Sequence, residues 1–215
     1  MKLLTVATAV FCMLYIIMLL QHGGIFQEDY YGFMRLGATV TSLPTCLMLT
    51  CAGHTRYRPF ERVHRNPRTE LDCNLRWLVI SGVGCGLACA LLFTIVEIAI
   101  GNEVFSPEAP SLLALLTSQL IMMNIAIALL QLLATNCGVP WGFVTPLFIA
   151  FYAVAPWMLG TVSDQALYVI MPFWYPISHH WDIALVRQVM PFVGLCVLAT
   201  LLNVAAFEHW ERLER

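Results

Sequence analysis

The chain has 215 residues, of which 60% are hydrophobic and only 11% charged, against about 25% charged in an ordinary soluble domain. That balance argues against a single water-soluble core and reads as an integral membrane protein. The formal charge of -2 is uninformative as a sum, because the basic residues are segregated and the acidic ones spread. Six arginines gathered between two apolar runs are explained by topology, so nucleic acid is not expected as a partner.

The first apolar run, residues 3–20 (LLTVATAVFCMLYIIMLL), is near the length of a full crossing. A signal peptide is the rival reading. The following QHGGIFQEDYY shows no small-x-small cleavage site, which favours an uncleaved span. Gln21 to Phe33 carries Glu28 and Asp29 and is assigned to the outside. A second span is predicted over 35–52, with Pro44 in its middle removing one backbone hydrogen bond and kinking the helix. Arg35 at its outer end can snorkel or pair with Glu28 or Asp29.

Next comes a polar island, residues 53–76 (GHTRYRPFERVHRNPRTELDCNLR), holding Arg56, Arg58, Arg62, Arg65, Arg68 and Arg76 of the chain's eleven Lys and Arg. A basic loop between apolar spans is retained on the cytoplasmic side by the positive-inside rule, and it orients every other segment. Pro59 and Pro67 bracket PFERVHRN, which reads as a two-turn helix outside the membrane. Phe60 and Val63 would share one of its faces. An apolar pair ringed by arginines suits a docking surface, while a plain topogenic loop accounts for the charge alone. Thr69-x-x-Asp72 resembles a capping box with Asp for the usual Glu, so the third helix is expected to begin there and to carry Arg76 at the interface.

The third span is predicted over 77–100. Its Gly82-x-x-x-Gly86 pair lets another helix approach closely, within the monomer or across a subunit interface. Glu97 is the one acidic residue inside an apolar run; near the outer end it is expected to reach the headgroups, with an ion or proton site as the alternative. An acidic, proline-containing external turn (101–110) leads to the fourth span, 111–134, which contains Gln119, Asn124 and Gln131. Amides in a bilayer hydrogen-bond between helices, each contributing about 1 kcal/mol; a transport path through Glu97, Gln119 and Asn124 is the alternative to pure packing.

A tight uncharged turn, TNCGVPWG, leads into a fifth span, 143–160, with Pro146 and Pro156 bending it. Residues 161–187 are too broken by Pro172 and Pro176 to cross and too apolar for a free loop. They read as a re-entrant or interfacial hairpin, with Trp174, Tyr175 and Trp181 in the headgroup belt. The last span, 189–207, ends in EHWERLER. Six spans with both termini inside leave Lys2, the island arginines, Arg212 and Arg215 inside, and Arg35 and Arg187 outside.

Cysteines 12, 46, 51, 85, 89 and 196 fall in apolar runs, where a thiol acts as a small hydrophobe; Cys73 and Cys137 are assigned to internal loops, so no disulfide is expected. His179-His180-x-Asp182 is a weak metal pattern because adjacent histidines diverge. Cys85 and Cys89 share a helical face but lack further ligands. No P-loop, G-x-S-x-G, H-E-x-x-H or C-x-x-C occurs, which points away from an enzyme and toward a transport subunit with no cofactor or metal of its own.

In layout the chain resembles the half-size, six-span permeases of type-2 ATP-binding-cassette exporters, such as those of antimicrobial-peptide immunity and multidrug export. The likeness is carried by the basic loop with its short helix at 59–66, the tight turn between spans four and five, and the MPFWYP segment (171–176) before the last span. It implies a fold of six transmembrane helices with a cytoplasmic coupling helix and an external re-entrant hairpin, in a single domain over 1–215 of a bacterial plasma-membrane protein. It further implies that Arg58, Phe60, Glu61, Arg62 and Val63 dock on a separate ATPase subunit that binds ATP and Mg, and that a second permease copy completes the transporter. The chain departs from those permeases in beginning its first span almost at Met1. Two other classes remain open: an ion-coupled carrier using Glu97, and a membrane thiol or metal enzyme using Cys85, Cys89 or His179-His180.

Overall fold

The computed structural model describes residues 33–55, 67–100, 109–162, 173 and 185–213. A π-helical segment, Phe33–Ser42, runs into α1, Leu43–Gly53; then come α2, Pro67–Ile100, α3, Ala109–Asn136, and α4, Trp141–Val162; a second π-helical segment, Leu185–Val189, leads into α5, Met190–Leu213. The protein is all-helical among the described residues.

Three stretches are long and apolar enough to cross a membrane, Arg68–Ala99, Ala109–Asn136 and Val186–His209, and two shorter apolar helices cover Ala38–Gly53 and Trp141–Ala155. The expected span at 3–20 lies outside the described residues, as do the PFERVHRN helix and nearly all of the 161–187 hairpin.

α3 is the central helix. Every residue from Met122 to Leu129 is buried, as befits a helix that is apolar all round, and α1, α2, α4 and α5 pack against it. The outer helices expose apolar stripes instead: Leu87, Leu91, Ile95 and Ile98 on α2, Phe143, Leu147, Phe151 and Val154 on α4, and Val193, Val197 and Leu201 on α5. Water would penalise such patches, whereas lipid tails solvate them.

Cross-helix contacts show that successive helices alternate in direction. At one end Arg68 meets Glu208 at 3.1 Å and Asn136 donates to Asn203 at 2.8 Å; at a middle level Thr41 lies 3.5 Å from Cys89; beyond it Gln119 donates to Gln188 at 3.3 Å. The turn between α3 and α4 is a Schellman closure: Gly138 has φ 94°, its amide reaches Thr135 O at 3.0 Å, and the Val139 amide reaches Ala134 O at 3.2 Å. Glycine suits that left-handed position because it has no Cβ.

Several expectations are corrected. The helix after the island starts at Pro67, not at a Thr69 cap, so Thr69, Asp72 and Cys73 are helical. Proline fits the first helical position, where the missing N–H has no acceptor to serve. The connecting loop is therefore shorter than 53–76. Pro44 falls in the first turn of α1, directly after the π-helical stretch; the change of register at Ser42 places the missing amide where a helix start tolerates it. Glu97 is fully buried rather than lodged among headgroups. It lies four residues after Phe93 and seven after Ala90, both buried, and at 3.6 residues per turn those spacings share one face of α2.

Candidate functional site

The end of the bundle where the polar island joins it is the first region of interest. α2 has 34 residues, about 51 Å at the α-helical rise, while the apolar core of a bilayer is about 30 Å thick. Its polar first turns therefore project past the apolar zone. There Asn74 is buried and its carboxamide grips the chain leaving α1: Oδ1 accepts the Thr55 amide at 2.8 Å and Nδ2 donates to the Thr55 carbonyl at 3.0 Å. One turn on, Trp77 Nε1 donates to Leu49 O at 2.9 Å. The indole lies against Gly53 so closely that a Cβ there would overlap the ring. His54 in turn faces Trp141 of α4, ring centroids 4.7 Å apart. Both roots of the island, Thr55 and the first turns of α2, are thus tied together and to α1. The docking residues expected from the resemblance, Arg58, Phe60, Glu61, Arg62 and Val63, lie outside the described residues between these two roots.

The second region is the polar interior. Gln131 is buried and joins three helices: its Oε1 accepts from the Thr50 hydroxyl of α1 at 2.9 Å, and its Nε2 donates to Thr145 of α4 at 2.8 Å and to Leu47 O at 3.3 Å. Asn124 donates to the Ser42 hydroxyl at 2.8 Å and to Gly82 O at 3.4 Å. Its Oδ1, like the buried hydroxyl of Ser81, has no hydrogen-bond partner among the described residues. Gln119 reaches Gln188. Glu97, Gln119 and Asn124 are all fully buried, but they belong to different levels: Gln119 is paired toward the start of α5, Asn124 with α1 and α2.

Gly82 and Gly86 face α3. A Cβ on Gly82 would lie 2.6 Å from Ile125 Cγ1, and one on Gly86 2.7 Å from Ile121 Cγ1 and 3.1 Å from the Ile121 amide nitrogen. The close approach that the glycines permit is made inside the chain.

Cys85 and Cys89 are buried, and Cys89 lies 3.5 Å from Thr41 of the first π-helical segment. No group of three or more His, Cys, Asp or Glu converges among the described residues, and His179, His180 and Asp182 lie outside them. The sequence reading missed Asn74, Thr55, Ser42 and Asn203. For Asn74 a signal existed, since Leu71, Asn74 and Leu78 keep the spacing of an inward stripe. Phe173, within MPFWYP, is buried, with its ring edge-on to Phe192 at 5.6 Å.

No family model matches the chain, and neither a curated protein nor a solved structure matches it.

Proposed function

We propose that the chain is the membrane subunit of an ATP-binding-cassette exporter, moving an amphiphilic peptide, lipid or drug with ATP hydrolysed by a separate partner. The observation that carries this reading is the double hydrogen bond of Asn74 to Thr55. A docking loop can drive its helices only if its roots are stiff. Here the roots of the arginine-rich segment are fastened to each other, and to α1 through Trp77 and Leu49. In this reading the island faces the cytoplasm, Phe60 and Val63 meet the ATPase, and closure of the ATPase dimer moves α1 and α2 as a pair. Two copies of the chain, or this chain and a similar one, complete the transporter in a plasma membrane with both termini inside.

The test is purification of the tagged chain from its native host in mild detergent, with mass spectrometry and an ATPase assay on what is retained. A Walker-motif ATPase that is lost with Phe60→Ala or Arg62→Glu supports the proposal. Purification without any ATPase overturns it.

The burial of Glu97 favours a second reading, an ion-coupled carrier, because a carboxyl inside a bundle is placed to take up a proton or cation. Transport abolished by Glu97→Gln and untouched by Phe60→Ala would select the carrier; the reverse pattern would select the exporter.

A further inference from the structure

We propose that Asn124 and Ser81 hold one internal water molecule between α3 and α2, where the first π-helical segment passes into α1. This inference is independent of the exporter reading.

The Asn124 carboxamide is placed by contacts to two other segments. Its Nδ2 donates at 2.8 Å to the Oγ of Ser42, the last residue of the π-helical segment, and at 3.4 Å to the Gly82 carbonyl of α2. The Asn124 backbone carbonyl accepts from the Cys46 thiol of α1 at 4.0 Å. Exchanging the two ends of the amide would set Oδ1 against the Gly82 carbonyl, acceptor against acceptor, so the orientation is fixed by its neighbours. Oδ1 is then the end left over. Asn124 is fully buried, and this oxygen has no hydrogen-bond partner among the described residues.

Ser81 directly precedes Gly82 in α2 and is 5% exposed. Its hydroxyl also has no hydrogen-bond partner among the described residues. A helical hydroxyl ordinarily turns to the carbonyl one turn back, as those of Thr45, Thr94 and Thr117 do at 2.8, 2.8 and 2.7 Å. Buried polar groups are nearly always paired, with protein or with ordered water. Here an unpaired acceptor on α3 and an unpaired hydroxyl on α2 meet the same peptide, Gly82, one through a hydrogen bond and one through the chain. The ligand that suits them donates to an amide oxygen and bonds a hydroxyl, and a water does both. A cation suits them less, because these oxygens are neutral and a buried charge without a counter-charge is costly. The close approach of α2 and α3, with a Cβ on Gly82 meeting Ile125 Cγ1 at 2.6 Å, favours the smallest ligand. With the water in place the π-helical segment, α2 and α3 meet through one fully satisfied side chain.

The experiment is hydroxyl-radical footprinting of the purified full chain by brief X-ray exposure, in ordinary and isotopically labelled water, read by mass spectrometry. An internal water oxidises buried side chains beside it. Cys46, whose thiol touches Asn124, is therefore expected to be labelled far above its exposure, with buried Tyr152 of α4 as the unlabelled reference. Ser81→Ala and Asn124→Leu should each abolish the labelling. Ser81→Ala should also lower the thermal midpoint by about 2–4 °C, and should have no further effect in an Asn124→Leu background. An unlabelled Cys46 in the wild type, a midpoint unchanged or raised by Ser81→Ala, or an equal Ser81→Ala effect in both backgrounds would each overturn the proposal. A wild-type midpoint that rises with sodium chloride but not with choline chloride at equal ionic strength would also overturn it, by putting a sodium ion in place of the water. The labelling measurement needs no variant, so the test survives if Asn124→Leu fails to fold.

Discussion

Gln131 and Thr145 are joined by a 2.8 Å hydrogen bond that fastens α3 to α4, while the other end of the same carboxamide accepts from Thr50 of α1. Gln131→Ala should therefore loosen two helix pairs at once. Unfolding in mixed micelles is expected to show a loss of about 1–3 kcal/mol, with Thr145→Val costing less because Gln131 keeps Thr50 and Leu47 O.

The glycines of α2 give a sharper contrast. Gly84 meets open space, whereas Gly82 and Gly86 lie under α3. Gly84→Ala should be neutral or slightly stabilising, since alanine gains up to about 1 kcal/mol in a helix. Gly82→Ala and Gly86→Ala should each destabilise by about 1–3 kcal/mol through overpacking. Ile125→Ala is expected to rescue Gly82→Ala, because the remaining contact, 3.4 Å to the Ile125 nitrogen, is ordinary. Ile121→Ala should rescue Gly86→Ala only partly, as backbone nitrogen stays at 3.1 Å. Thermal unfolding of the double variants reads both outcomes.

At the root of the island, Asn74→Ala should free Thr55 without touching any residue of the 56–66 segment. If the exporter proposal holds, the variant retains less ATPase in the pull-down although its spans remain folded. Undiminished retention would show that the Thr55 clamp does not matter for docking.

The Arg68–Glu208 ion pair makes the opposite prediction. The two side chains are 76% and 37% exposed, so the pair is worth about 0–1 kcal/mol and weakens with salt. Arg68→Ala should leave both stability and partner retention nearly unchanged in physiological salt.

Gly138, at φ 94°, tests the closure between α3 and α4. Gly138→Ala should cost about 1–2 kcal/mol, the penalty of placing an L side chain in left-handed backbone. Gly138→Asn should cost less, since asparagine is tolerated there.

Much of this architecture was readable from residue order alone. Long apolar runs, punctuated by Pro and Gly and separated by one arginine-rich island, specify helices of membrane length, because backbone polar groups in lipid must be satisfied within a segment. The turn at Gly138 and the close-packing role open to Gly82 and Gly86 follow from side-chain size. The inward position of Glu97 was also present, on the face of Ala90 and Phe93, but a charged side chain outweighed the periodicity in the sequence reading. What tertiary structure alone decided is partnership: that α3 is the centre, that Asn124 answers Ser42 and Gln131 answers Thr50 and Thr145, and that Asn74 holds Thr55. Those pairs join residues distant in sequence, and helical periodicity fixes only which face a residue occupies. The neighbour it finds there depends on how the helices pack.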